Sequence, residues 1–167
     1  EKYKEFTSQN ILTSNAKNNI IKYYNKLQKI IKHYIPRTVA FWENCLTERG
    51  TTIALYDYAY YNQTILNNKS IIFYDSKNKN NDEKIINKFK KHFNIYPCEN
   101  FDQVDKILIK NYCEIIYHIE GGNQIYINFK ENRGYKLSKV AKNCIHCVFN
   151  CNKPHGQIYA SISPWIQ

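Results

Sequence analysis

The feature that most constrains this chain is an alternation of short apolar runs with longer amphipathic stretches between Thr38 and Ile119. Thr38 to Trp42, Ser70 to Tyr74, Asn94 to Cys98 and Cys113 to Ile119 have strand length and no consistently wet face. Between them, Thr51 to Ile65 places Ile53, Leu55, Tyr56, Ala59 and Tyr60 at helical spacing. A second helix follows the polar run Asp75 to Asp82, with Ile85, Ile86, Phe89 and Phe93 as its apolar positions. Phe101 to Tyr112 reads as a third, with Val104, Ile107, Leu108 and Ile109 inward and Asp102 near its positive N-terminal end. Strands buried on both faces and joined by helical crossovers predict an α/β domain: an open, mostly parallel sheet with helices on both faces. The crossovers should be right-handed.

Two further strands are expected, over Asn143 to Asn150 and Gln157 to Ser163, the last stopped by Pro164 and Trp165. Gly121 to Tyr135 reads either as a hairpin arm or as a loop, since Gln124 to Phe129 alternates. Ser76 to Asn81 has the composition of an exposed connector, and no solenoid-type repeat is present. Ahead of the sheet, Asn15 to Tyr34 sets Ile20, Ile21, Tyr24, Leu27, Ile30, Ile31 and Tyr34 on one stripe of an amphipathic helix, with lysines on the other side. The stripe lacks Trp and Phe, so it suits packing against protein better than lying on a membrane. Pro36 ends the helix. The expected organisation is therefore a helical arm or linker over 1–36 and one α/β domain over 37–167, a length that supports one sizeable core. Because the first residue is Glu1, the chain is read as excised from a longer protein.

The net charge of +10 would by itself suggest nucleic acid or a membrane surface. The charge is carried by lysines scattered among asparagines, however, and only Arg37, Arg49 and Arg133 offer the planar fork that reads phosphates and base edges. That distribution argues against nucleic acid as a partner. No segment resembles a secretory signal or a membrane span, and the six cysteines are irregularly placed, which suits reduced thiols and a cytoplasmic location.

Three constellations are candidates for chemistry. The first is the turn Glu43-Asn-Cys-Leu-Thr-Glu-Arg-Gly-Thr-Thr52, leading from the first strand into the first helix. Ligands of open α/β sheets settle at the carboxyl ends of strands, where free helix amides accept an anion or a hydroxyl. Here Gly50 permits close approach, Thr51 or Thr52 would cap the helix, and Glu48 and Arg49 would project into the crevice. Neither a dinucleotide fingerprint nor a P-loop is present. The second is Cys144, His146, Cys147, Cys151 and His155, whose spacing permits zinc on paper; a strand through Cys144 and Cys147 would turn them to opposite faces, so no metal is expected. The third is His155, in the turn Pro154-His-Gly156, joined by His118 at the end of the fourth strand, which is expected to face the same crevice. Tyr56, Tyr58, Tyr60 and Tyr61 around Asp57 could stack on sugars, but at helical spacing Tyr56 and Tyr60 are expected in the core.

The run Ala40-Phe-Trp-Glu-Asn-Cys-Leu-Thr-Glu-Arg-Gly-Thr-Thr-Ile-Ala-Leu-Tyr-Asp-Tyr-Ala59 resembles the first strand, loop and helix of a GT-B-like glycosyltransferase. The run His146-Cys-Val-Phe-Asn-Cys-Asn-Lys-Pro-His-Gly-Gln-Ile-Tyr-Ala-Ser-Ile-Ser163 is similar to the closing strands of the same half. Similar domains occur among proteins of large DNA viruses, which would suit the Lys, Asn and Ile bias and would extend the location to host cytoplasm or virion. The resemblance implies a Rossmann-like N-terminal, acceptor-side half. It would bind a sugar or glycan acceptor, meet a nucleotide-sugar donor through a second domain, and be inactive without that domain. No cofactor or metal is implied. Substrate-binding residues would be Asn44, Glu48, Arg49, Gly50, Thr51 and His155; catalytic residues are not specified. The alternative is a non-catalytic docking module whose helical arm joins a larger assembly.

Overall fold

The computed structural model describes residues 14–32, 35–120, 137–148 and 156–161. The chain divides between Ile35 and Pro36 into two units. The first holds α1, Ser14–Lys32, an amphipathic helix; Tyr34, the last residue of the stripe read from the sequence, lies outside the described residues. Among the described residues no helix is long and apolar enough to cross a membrane.

The second unit runs β1 (Thr38–Glu43), α2 (Gly50–Thr64), β2 (Lys69–Asp75), α3 (Glu83–Lys90), β3 (Asn94–Cys98), α4 (Phe101–Lys110), β4 (Ile115–Glu120), β5 (Lys142–Cys147) and β6 (Ile158–Ser161). The strands form one sheet in the order β3-β2-β1-β4-β5-β6. Every neighbouring pair is parallel. This is a Rossmann-like α/β fold, and the direction of winding reverses between β1 and β4. The segment 121–136, with the hairpin candidate, and Cys151 and His155 lie outside the described residues.

Strand alternation divides the core in two. Ala40, Trp42, Ile71, Phe73 and Ile116 face α4, where they pack with Val104, Leu108 and Cys98. Phe41, Ile72, Tyr74 and Ile119 face the other way, with Leu55 and Ala59 of α2 and Ile86 and Phe89 of α3. Tyr56 and Tyr60 join this second cluster. Ile109 does not turn inward as its spacing suggests: it is 61% exposed, because α4 presents Val104 and Leu108 to the sheet.

Two helices begin on side-chain caps. Asp82 accepts from the Lys84 amide at 2.7 Å, and Asn100 accepts from the Gln103 amide at 3.0 Å while Gln103 accepts from the Glu99 amide. The run Ser76 to Asn81 is more than an exposed connector. Asn81 accepts from the Leu46 amide and donates to the Asp75 carbonyl, and Asn78 donates to the Asn44 carbonyl. These amide side chains sew the β2–α3 loop to the turn after β1.

A buried polar network secures β5. The Asn143 side chain, 1% exposed, accepts from the Ser138 amide, meets His118 Nε2 at 3.1 Å, and donates to the carbonyls of Ser138 and Ala141. Ser138 donates in turn to buried Asp105 of α4 at 2.6 Å. Replacing Asn143 with Leu strands several of these groups at about 1–3 kcal/mol each, so a loss of roughly 3 kcal/mol or more is expected. Urea unfolding should show it as a lower midpoint at unchanged slope. Asp102→Ala, which removes an exposed pair with Lys139 and the acidic residue of the first turn of α4, should cost no more than about 1 kcal/mol.

Candidate functional site

β1 ends in a charge. Glu43 falls on the α2 side of the sheet and is 2% exposed, an unusual place for a carboxylate. Its Oε1 accepts from Arg49 Nη2 at 2.6 Å and from the Asn44 amide at 3.1 Å. Arg49 Nη2 also donates to Asn44 Oδ1 and to the Cys45 carbonyl. The turn is thus folded around one guanidinium, and the turn residue Leu46 is fully buried beneath it. Burial pushes the Glu43 carboxyl above its ordinary value, opposed by the charge of Arg49, by the Asn44 amide and by Arg49's hydrogen bond. The Thr51 hydroxyl is near enough to help hold the charged form, yet makes no full hydrogen bond.

The helix that follows is unlike the other two. α2 starts at Gly50 with Arg49 in the N-cap position, and no side chain caps it. Thr51 and Thr52, the expected caps, lie inside the first turn with unpartnered hydroxyls. Glu43 Oε2 and Arg49 Nε are also buried and unpartnered. A free helix N-terminus, a carboxylate oxygen and two hydroxyls therefore meet at the carboxyl end of β1, beside the point where the winding reverses. A β-carbon at Gly50 would meet nothing, so the backbone there is open to approach.

The register extends this corner sideways. Trp42 is level with His118, so Glu43 lies level with Ile119, which pairs with His146. Glu43 and His146 thus stand on one face, two strands and about 10 Å apart. His146 Nδ1 lies 2.5 Å from the Tyr117 hydroxyl. Tyr58 of α2 covers the pair, its ring 5.7 Å from that of His146 and 5.9 Å from that of Tyr117. Burial lowers the imidazole's pKa and raises the phenol's, so both are neutral at pH 7.

Of the residues singled out in the sequence, Asn44, Arg49, Gly50 and Thr51 come together here. Glu48 lies exposed in the same turn. Arg49 does not project freely into a crevice, because the buried carboxylate of Glu43 draws it back into the turn. His118 does not face this corner: it is fully buried on the α4 side, stacked on Phe101 and bonded to Asn143. Strand alternation decides this, since His118 has the parity of Ile116. The same rule turns Cys144 and Cys147, both within β5, to opposite faces. Tyr117 escaped notice in the sequence; Glu43 entered only as the first residue of the turn, His146 only among the residues whose spacing permits zinc, and Tyr58 only as one of four tyrosines that could stack on sugars. A shallow recess lined by Gln63, Lys69, Lys91, His92 and Asn94 lies at the opposite edge of the sheet. Its buried polar group, Ser70, is already bonded to Asn62 and Ala59.

The ion pair is asymmetric, and mutation should show it. Arg49→Met leaves a buried carboxylate uncompensated and is expected to cost about 2–3 kcal/mol, less than a fully buried pair because Arg49 is partly solvated. Glu43→Gln removes the buried charge itself and should change thermal stability by less than about 1 kcal/mol. His146 gives a pH signature. Its folded pKa lies below the unfolded value of 6.5, so on acidification the unfolded chain takes up this proton first. Stability should therefore fall as pH drops through 6.5, until the folded value is reached, and His146→Gln should remove that component of the slope when denaturation is followed against pH.

No family model, curated protein or solved structure matches the chain.

Proposed function

We propose that residues 37–167 form the acceptor-side half of a glycosyltransferase, binding a sugar or glycan and meeting a nucleotide-sugar donor through a second domain. The observation that carries this reading is the buried Glu43 carboxylate, with one unused oxygen, beside the uncapped start of α2 at the reversal point of the sheet. Sugar hydroxyls are donors and acceptors at once. One that donates to Glu43 and accepts from an α2 amide would satisfy groups that the protein leaves unsatisfied. A bare phosphate fits less well, because Glu43 already engages the one arginine of the turn.

The separate first unit favours a second reading, a docking module that uses the amphipathic α1. Deleting the residues before Pro36 would then abolish partner binding and leave the sheet folded.

Titrating the full chain with saccharides and nucleotide sugars, while following the amides from Asn44 to Thr52, separates the two. Saturable shifts in this turn are expected; their absence across the panel defeats the glycosyltransferase reading. Gly50→Ala sharpens the test. With open space and no special backbone angle, the methyl should stabilise the helix by up to about 1 kcal/mol. It should nevertheless weaken any ligand that approaches the Gly50 backbone.

A further inference from the structure

The cluster formed by Tyr58, Tyr117 and His146 is not used by the polar corner around Glu43, and its construction points to a ligand of its own. Tyr117 sits above Phe41, their rings 5.7 Å apart, and bonds His146 Nδ1, which fixes the imidazole in place. Among the described residues His146 Nε2 has no hydrogen-bond partner, and His146 is 9% exposed. Tyr58, 43% exposed, lies over the imidazole with the two ring planes inclined at 33°. The exposed apolar face here is that of Tyr58, with the largely covered imidazole beside it.

We infer that Tyr58 and His146 form an aromatic subsite for a carbohydrate ring, contiguous with the corner around Glu43 and Thr51. The inference rests on the glycosyltransferase reading and deepens it. Seven residues separate Thr51 from Tyr58 on α2, so both lie on one side of that helix, about 10 Å apart. That distance matches a chain of two linked pyranose rings, one at each end. The C–H face of a pyranose packs on an aromatic surface, while one of its hydroxyls meets Nε2. Because a hydroxyl both donates and accepts, it suits either tautomer of a neutral imidazole. A nucleobase fits less well: a flat base needs a parallel platform, and Tyr58 and His146 are inclined to each other.

The test uses the full chain with ring resonances of tyrosine and histidine assigned, and probes that are methyl pyranosides, the matching disaccharides and uridine. A disaccharide should shift the signals of Tyr58 and His146 together with the amides of Gly50 to Thr52. Tyr58→Leu, at an exposed position that leaves the fold intact, should weaken the disaccharide about five- to tenfold while the monosaccharide is little changed. Disaccharide shifts confined to Gly50 to Thr52 would overturn the subsite and leave the glycosyltransferase reading standing. Undiminished affinity in Tyr58→Leu, or uridine acting at Tyr58 where saccharides do not, would also overturn it. Silence from every probe at both ends would overturn the subsite and the reading together.

Discussion

A sheet whose strands are all parallel has no wet face to spare, and that requirement shapes the whole second unit. β1 has neighbours on both sides and lies between two apolar clusters, so Ala40, Phe41 and Trp42 are all nearly inaccessible to water. Crossovers must then carry apolar stripes of their own. The α2 and α3 stripes serve one face and the α4 stripe the other, and their handedness follows from the twist of the strands. From β1 the chain moves outward through β2 to β3 and then crosses back to β4 on the other side of β1, so the winding reverses between β1 and β4, and the carboxyl ends of that pair are where sheets of this kind leave a crevice.

What fills this gap is polar, and its polarity is organised by a hierarchy of bonds. Glu43 is held by Arg49; the turn that carries Arg49 is held by Asn78 and Asn81 of the next loop. On the other face, Asn143, Ser138 and Asp105 perform the same service for the entry to β5. In both places an amide side chain supplies donors and acceptors to backbone in loops and at a strand end. The abundance of asparagine, which in the sequence looked like compositional bias, is thus partly structural.

The fold was legible because its signals are local and repeated. Each apolar run in 38–119 became a strand and each amphipathic stretch a helix, with ends displaced by one or two residues except for α3, which stops at Lys90 and leaves Phe93 beyond its end. Cap residues Asp82 and Asn100 stand where helix starts require them. The site was only half legible. Asn44, Arg49, Gly50 and Thr51 are consecutive enough to be found in one turn. Tyr117 and His146, by contrast, meet Tyr58 only through strand register, which no single stretch of sequence encodes. His118 was misplaced for the same reason, since the face a strand residue occupies depends on parity counted from neighbours across the sheet.

The cysteines give this architecture a chemical consequence. Cys98 is fully buried, and its thiol is pushed up to about 11. Cys113 donates to the carbonyls of Thr38 and Ile115, so it too is held as a thiol, at the amino end of β4 in the middle of the sheet. Cys144, half-buried on the face that carries Tyr117 and His146, is less protected. Since the thiolate is the reactive form, an alkylating reagent will find the interior residues only as fast as the sheet opens around them. Modification at each position therefore times a different opening event: breathing of the aromatic face at Cys144, and separation of α4 from the β3 edge of the sheet at Cys98.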